Sequence, residues 1–152
     1  MKKCILVLED NVERRDAMKE WLDDRLPMYD LFLTDDPDQF IQYVDRRRQD
    51  ILVVSLDHDL YERSDASTSL TGMLVVDHLV GQQPSFPVLL HTTNRLDGEK
   101  MESRLAKNGW DVRWVHPFDG TSWVATDWYH QLKRAIRRQS QKMPQSIEDN
   151  TP

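Results

Sequence analysis

Asp57-His58-Asp59 stands directly behind an apolar run, ILVVSL (51–56), where charge is hardest to keep in contact with water. A carboxylate or imidazole at such a place costs free energy unless it is paired, hydrogen-bonded or bound to a cation. Other apolar runs end in the same way. Glu9, Asp10 and Asn11 follow CILVL (4–8), FPVLLH (86–91) ends on His91 ahead of Thr92, Thr93 and Asn94, and DVRWVH (111–116) ends on His116 before Pro117 and Phe118. The leading ends of these runs offer only Lys2, Lys3, Asp50 and Asp111. Three histidines and four acids at one end exceed anything that sheet stability requires.

The chemistry follows from the residue types. Glu9, Asp10, Asp57 and Asp59 form an oxygen-rich donor set for a hard divalent cation, Mg²⁺ or Mn²⁺ before Fe²⁺ or Zn²⁺. Carboxylates this close raise one another's pKa unless a cation intervenes. His58 and His91, on neighbouring runs, fit an acid and base for hydrolysis, with His116 as a third candidate or a phosphate anchor. Asn94 at a helix start, and Arg14 one turn past the acidic pair, are candidate phosphate contacts. The plainer alternatives are a solvated strand end, Asp10 as a helix cap, and histidines that only bond a neighbouring carboxylate.

These residues need elements to hold them in register. The apolar runs, with YDLFLT (29–34) as the second, read as five strands. Helical stripes alternate with them. Met18, Trp21, Leu22 and Leu26 mark a helix capped by Asp10 or Asn11; Phe40, Ile41 and Val44 mark one after Pro37. Leu74, Val75, His78 and Leu79 form a third stripe, and Met101, Leu105 and Ala106 a fourth that Gly109 closes. Val124, Trp128, Leu132 and Ile136 stripe the last. The pattern predicts a three-layer α/β/α sandwich around a doubly wound, five-stranded parallel sheet, with ligands at the carboxyl ends of its strands. Residues 1–138 are expected to form one domain and the polar stretch 139–152 a loose tail. The long segment from Asp57 to Gly72 is expected to act as a lid, and Trp123 and Trp128 fit core packing ahead of base stacking.

With 39% hydrophobic and 30% charged residues in 152, the chain suits a soluble globular protein. A net charge of −6 argues against binding nucleic acid by bulk phosphate neutralisation, though not against recognising an RNA end. The lone Cys4 rules out a disulfide framework. No signal-like or membrane-spanning apolar stretch occurs, so a cytoplasmic location is expected.

LEDN (8–11), the strand-ending Asp57, Thr92 and VHPF (115–118) together resemble a response-regulator receiver domain, over roughly residues 3–138. The resemblance implies a flavodoxin-like strand order 2-1-3-4-5, Glu9 and Asp10 with Asp57 around Mg²⁺, Asp57 as phosphoacceptor and the Thr92 hydroxyl on the phosphoryl group. His116 stands where that family has lysine. LDHDL (56–60), Thr71-Gly72, and His91 with Asn94 are similar to a divergent branch, the cyclic-phosphate-processing receiver domains. That likeness implies a metal-assisted phosphoesterase acting on a cyclic phosphate, in a small molecule or at an RNA end. The alternatives are a single-domain signalling receiver phosphorylated on Asp57, with a protein partner, and a non-catalytic pseudo-receiver.

Overall fold

The computed structural model describes residues 2–60, 71–118 and 120–143. The expected lid falls mostly at 61–70, and the end of the expected tail at 144–152; both lie outside the described residues. Strands β1 (Cys4–Leu8), β2 (Asp30–Thr34), β3 (Ile51–Leu56), β4 (Val88–Leu90) and β5 (Val112–Trp114) alternate with helices α1 (Val12–Arg25), α2 (Pro37–Arg47), α3 (Met73–Val80), α4 (Arg95–Lys107) and α5 (Tyr129–Lys142). The strands pair in parallel in the order β2-β1-β3-β4-β5. The order reverses between β1 and β3, so Glu9 and Asp57 leave adjacent strands at the switch point where such sheets bind ligands.

The unbroken apolar runs have a simple cause: each face of the sheet is covered. Cys4, Leu6, Leu8, Val54 and Leu56 pack with α2, α3 and α4, whereas Ile5, Val7 and Leu89 pack with α1 and α5. A register shift between Cys4 and Ile5 pairs Ile5 with Val53, leaving Leu52 without a partner on β1. Leu52 and Val53 consequently both join the α1/α5 side. Beyond the shift the alternation resumes, and it fixes which side layer Ser55 and Leu56 serve.

Capping decides where the site-bearing helices start. The Asn11 side chain accepts from Arg14 N, making Asn11 rather than Asp10 the cap of α1. Asn94 accepts from Asp97 N at 3.0 Å and starts α4. A single π-helical turn, Val124–Trp128, precedes α5. Its wider winding brings residues five apart toward one side, and both Trp123 and Trp128 are fully buried, which removes them from base stacking. Helix α5 runs past the expected boundary at 138 to Lys142. The reason is Gln139, whose buried amide donates to Ile51 O and Ser85 O and ties that turn to the sheet.

Helix α3 begins against the carboxyl end of β3. Gly72 N donates to His58 O, and a Cβ on Gly72 would meet Asp57 O at 1.9 Å. Only glycine permits that approach. Gly72→Ala is expected to lower stability by about 1–3 kcal/mol through forced backbone displacement. Gly81→Ala, where the added Cβ meets its first neighbour at 3.6 Å, serves as a control with little effect. Urea unfolding of the two variants measures the difference.

Candidate functional site

Three carboxylates meet where β1 and β3 end. Glu9, Asp10 and Asp57 each offer an oxygen, and these lie within 4.8 Å of one another. Glu9 is 0% exposed and Asp57 4%. Backbone geometry holds both. Glu9 Oε2 accepts from Asp10 N (3.0 Å) and Asn11 N (3.2 Å), and Asp57 Oδ1 accepts from His58 N at 2.7 Å. The capped first turn of α1 carries Arg14 over them, its guanidinium 3.5 Å from Glu9 Oε1 and 3.8 Å from Asp57 Oδ2. Arg14 also lies over the Trp123 ring, 5.5 Å from its centroid.

The two main carboxylates are electrically unlike. Burial alone would raise Glu9, but the His91 ring, the Asn11 N–H and Arg14 outweigh it and hold its carboxyl below the usual range. Burial, then the neighbouring negative Glu9, pushes Asp57 up to about 8. Of the two, Asp57 is the carboxyl that binds a proton more readily. Among the described residues, the Arg14 guanidinium faces Glu9 and Asp57. Buried carboxylate oxygens this close together fit a hard divalent cation, which would be held by Glu9, Asp10 and Asp57.

The histidines separate. His91, 0% exposed at the end of β4, places Nε2 3.3 Å from Glu9 Oε1 and Nδ1 2.6 Å from Ser55 Oγ. His58 turns to the other side, with Nδ1 2.6 Å from Asp59 Oδ1 and Nε2 3.7 Å from Asp97 Oδ2. Asn94 joins this second group, its Nδ2 donating to Asp97 Oδ2 (2.8 Å) and to Asp59 (3.2 Å). Asp59, expected with Glu9, Asp10 and Asp57, thus groups with His58 and Asp97, whose donor atoms also lie within 4.8 Å of one another. The two groups are joined through the Asp57–His58 backbone.

Thr92 and His116 are occupied otherwise. Thr92 is buried, and its hydroxyl accepts from Asn94 N at 3.1 Å, shaping the turn into α4. His116 is exposed and stacks on Trp114, ring centroids 4.5 Å apart. It lines a surface depression with Thr93, Arg95 and Glu99, outside both carboxylate groups. Among the described residues, the cation that contacts Glu9 and Asp57 comes from α1, as Arg14. His78 pairs with Asp45 on the helical surface. A cavity of about 800 Å³ opens at the opposite edge of the sheet, where Lys3 and Arg138 are already paired with Asp50 and Asp111.

Asp97, Ser55 and Trp128 escaped sequence reasoning as site residues. Asp97 had a signal, since Asn94-x-x-Asp97 is a capping pattern. Ser55 had a weaker one, as the single hydroxyl in an otherwise apolar strand. Among the described residues, no helix is long and apolar enough to cross a membrane.

Strand order and the carboxylate group at the switch point define a receiver-type domain. A receiver domain protein from Clostridium thermocellum superposes with TM-score 0.67 at 19% identity, covering 93% of this chain and 99% of that one. The response regulator domain of Thermotoga maritima CheB gives 0.65 at 15%, covering 90% and 98%. The receiver domain of AraT, a response regulator from Geobacillus stearothermophilus, gives 0.66 at 12%, covering 95% and 100%. At such identities the likeness is one of fold. The family model described as the cyclic-phosphate processing receiver domain matches residues 18–107, and the chain belongs to that family. The match includes Asp57, His58, Asp59, His91 and Asn94. No curated protein sequence matches the chain.

The raised Asp57 predicts a pH dependence of stability. An unfolded aspartate loses its proton near pH 4 and the folded one at about 8, so between these values the native state binds the extra proton. Stability contributed by this group therefore falls as pH rises across that window and levels off above it. Asp57→Asn should remove the decline, as denaturant unfolding at pH 5 and pH 8 will register. Equal pH slopes in the two proteins would contradict the charge assignment.

Proposed function

We propose that the protein is a phosphoric-diester hydrolase that opens a cyclic phosphate, such as a nucleoside 2′,3′-cyclic phosphate or the same group at an RNA end. The observation that carries this reading is the pair of histidines at the ends of neighbouring strands, each set against a carboxylate: His58 on Asp59 and His91 on Glu9. A phosphoacceptor needs neither. Hydrolysis needs a group to take the proton of water as its oxygen bonds to phosphorus. It also needs donors for the ester oxygen that leaves and for the charge on the remaining oxygens. His58 and His91 fill these places, and Arg14 supplies a fixed positive charge beside them. A divalent cation on Glu9, Asp10 and Asp57 would neutralise phosphate charge. Asn94 holds Asp59 and Asp97 in place and so keeps His58 oriented.

Turnover of nucleoside 2′,3′-cyclic phosphates with Mg²⁺ or Mn²⁺ tests the proposal. His58→Ala and His91→Ala should each lower the rate by about 10²-fold or more. Wild-type turnover no greater than that of these variants would refute it.

The second reading is a signalling receiver phosphorylated on Asp57 and read by a protein partner. Its support is the fold, with Asp57 on the switch-point strand. Two features of this chain weigh against it. Asp57 Oδ1 is engaged by His58 N, and His116, at the position after β5, stacks on Trp114 away from the carboxylates. Acetyl phosphate labelling separates the readings: stable incorporation that Asp57→Asn abolishes would favour the switch.

A further inference from the structure

His91 is held by a frame that no catalytic reading of the carboxylates requires. Trp128 Nε1 lies 2.9 Å from Ser55 Oγ, which lies 2.6 Å from His91 Nδ1, all of it buried. Trp123 faces the His91 ring, centroids 6.1 Å apart and planes 25° apart. Trp123 immediately precedes the π-helical turn and Trp128 ends it, and Ser55 points to their side of the sheet.

The direction of this chain of hydrogen bonds is fixed at its far end. An indole N–H can only donate, so Ser55 Oγ accepts from Trp128. The single serine hydroxyl hydrogen then has His91 Nδ1 as its acceptor. Were Nδ1 protonated instead, two N–H donors would converge on Ser55 Oγ, and the buried hydroxyl would lose this acceptor. The His91 proton accordingly sits on Nε2. There it lies within ion-pair distance of Glu9 Oε1 but makes no aligned hydrogen bond among the described residues. Facing Glu9 without a regular hydrogen bond, that donor can also reach a ligand oxygen bound at the same strand end. His58 is the opposite case. Asp59 takes the proton on Nδ1 at 2.6 Å, and Nε2, 3.7 Å from Asp97, presents its lone pair.

We infer that the two histidines are set in opposite tautomers and divide the work, with Ser55 and Trp128 as positioning residues for His91. His58 Nε2 is the base: it takes a proton from water as the water oxygen bonds to phosphorus. Solvent water protonates the ester oxygen released as the P–O bond breaks. His91 donates a hydrogen bond from Nε2–H to a phosphate oxygen and does not give up the proton. A neutral ring in this form can lose it only by becoming an anion, while as a donor it polarises its acceptor. The ligand class, a phosphate ester, rests on the proposed function; the tautomers do not.

Long-range ¹H–¹⁵N correlation spectra of the full chain, histidine-labelled and without substrate, read both rings directly at neutral pH. The expected pattern is protonated Nε2 with unprotonated Nδ1 for His91, and protonated Nδ1 for His58. Ser55→Ala should shift His91 toward the Nδ1–H form or a mixture, and Trp128→Phe, which keeps an aromatic ring but lacks the N–H, should shift it partway. A wild-type His91 protonated on Nδ1 overturns the inference, whether or not the variants fold. So does a His91 pattern that neither substitution moves. Absence of cyclic-phosphate turnover with the expected spectra would sink the proposed function and leave the tautomer assignment standing.

Discussion

Everything at the carboxyl edge of the sheet depends on the burial of two carboxylates, Glu9 and Asp57, side by side. Neither can be ionised there without help, and the help is unequal. Glu9 has two backbone N–H groups, the His91 ring and Arg14, whereas Asp57 has His58 N and a more distant guanidinium. The inequality holds Glu9 below the usual carboxylate range and pushes Asp57 above it. A site so arranged has a standing demand for positive charge.

The surrounding structure meets the geometric conditions of that site. Parallel pairing of β1 with β3 delivers the acids from adjacent strands, and the close contact of Gly72 with Asp57 O brings α3 down on the strand end. Asn11 and Asn94 start the helices that aim Arg14 and Asp97. The π-helical turn completes the frame by setting Trp128 on Ser55, which bonds the His91 ring, beside Trp123, which faces it. Arg14 spans these parts, touching both carboxylates and lying over Trp123. The site is thus a product of three helix starts and one irregular turn, with the strands as a common base.

Much of this was legible from the chain. Apolar runs ending in Glu9, Asp57 and His91 marked the strands and the edge where their polar groups gather, because a covered parallel sheet buries both faces of each strand. The helix stripes were read from their spacing, and the family from LDHDL and His91 with Asn94. Less legible were the finer groupings. Asp59 and Asp57 are two residues apart, and extended backbone would point them the same way, yet they serve different groups because the strand has ended by Asp57 and the chain turns. His116 occupies the expected position and faces elsewhere, drawn onto Trp114.

The sequence by itself determined the architecture, the edge where the carboxylates and histidines gather and the residue types found there, since these follow from periodicity and from where charge interrupts apolar runs. Only the tertiary structure decided which charges share a site, which cation serves them and where the His91 proton sits. Those outcomes turn on contacts between residues far apart in the chain, Ser55 with Trp128 and Arg14 with Asp57, at distances of a few ångströms that no local pattern encodes.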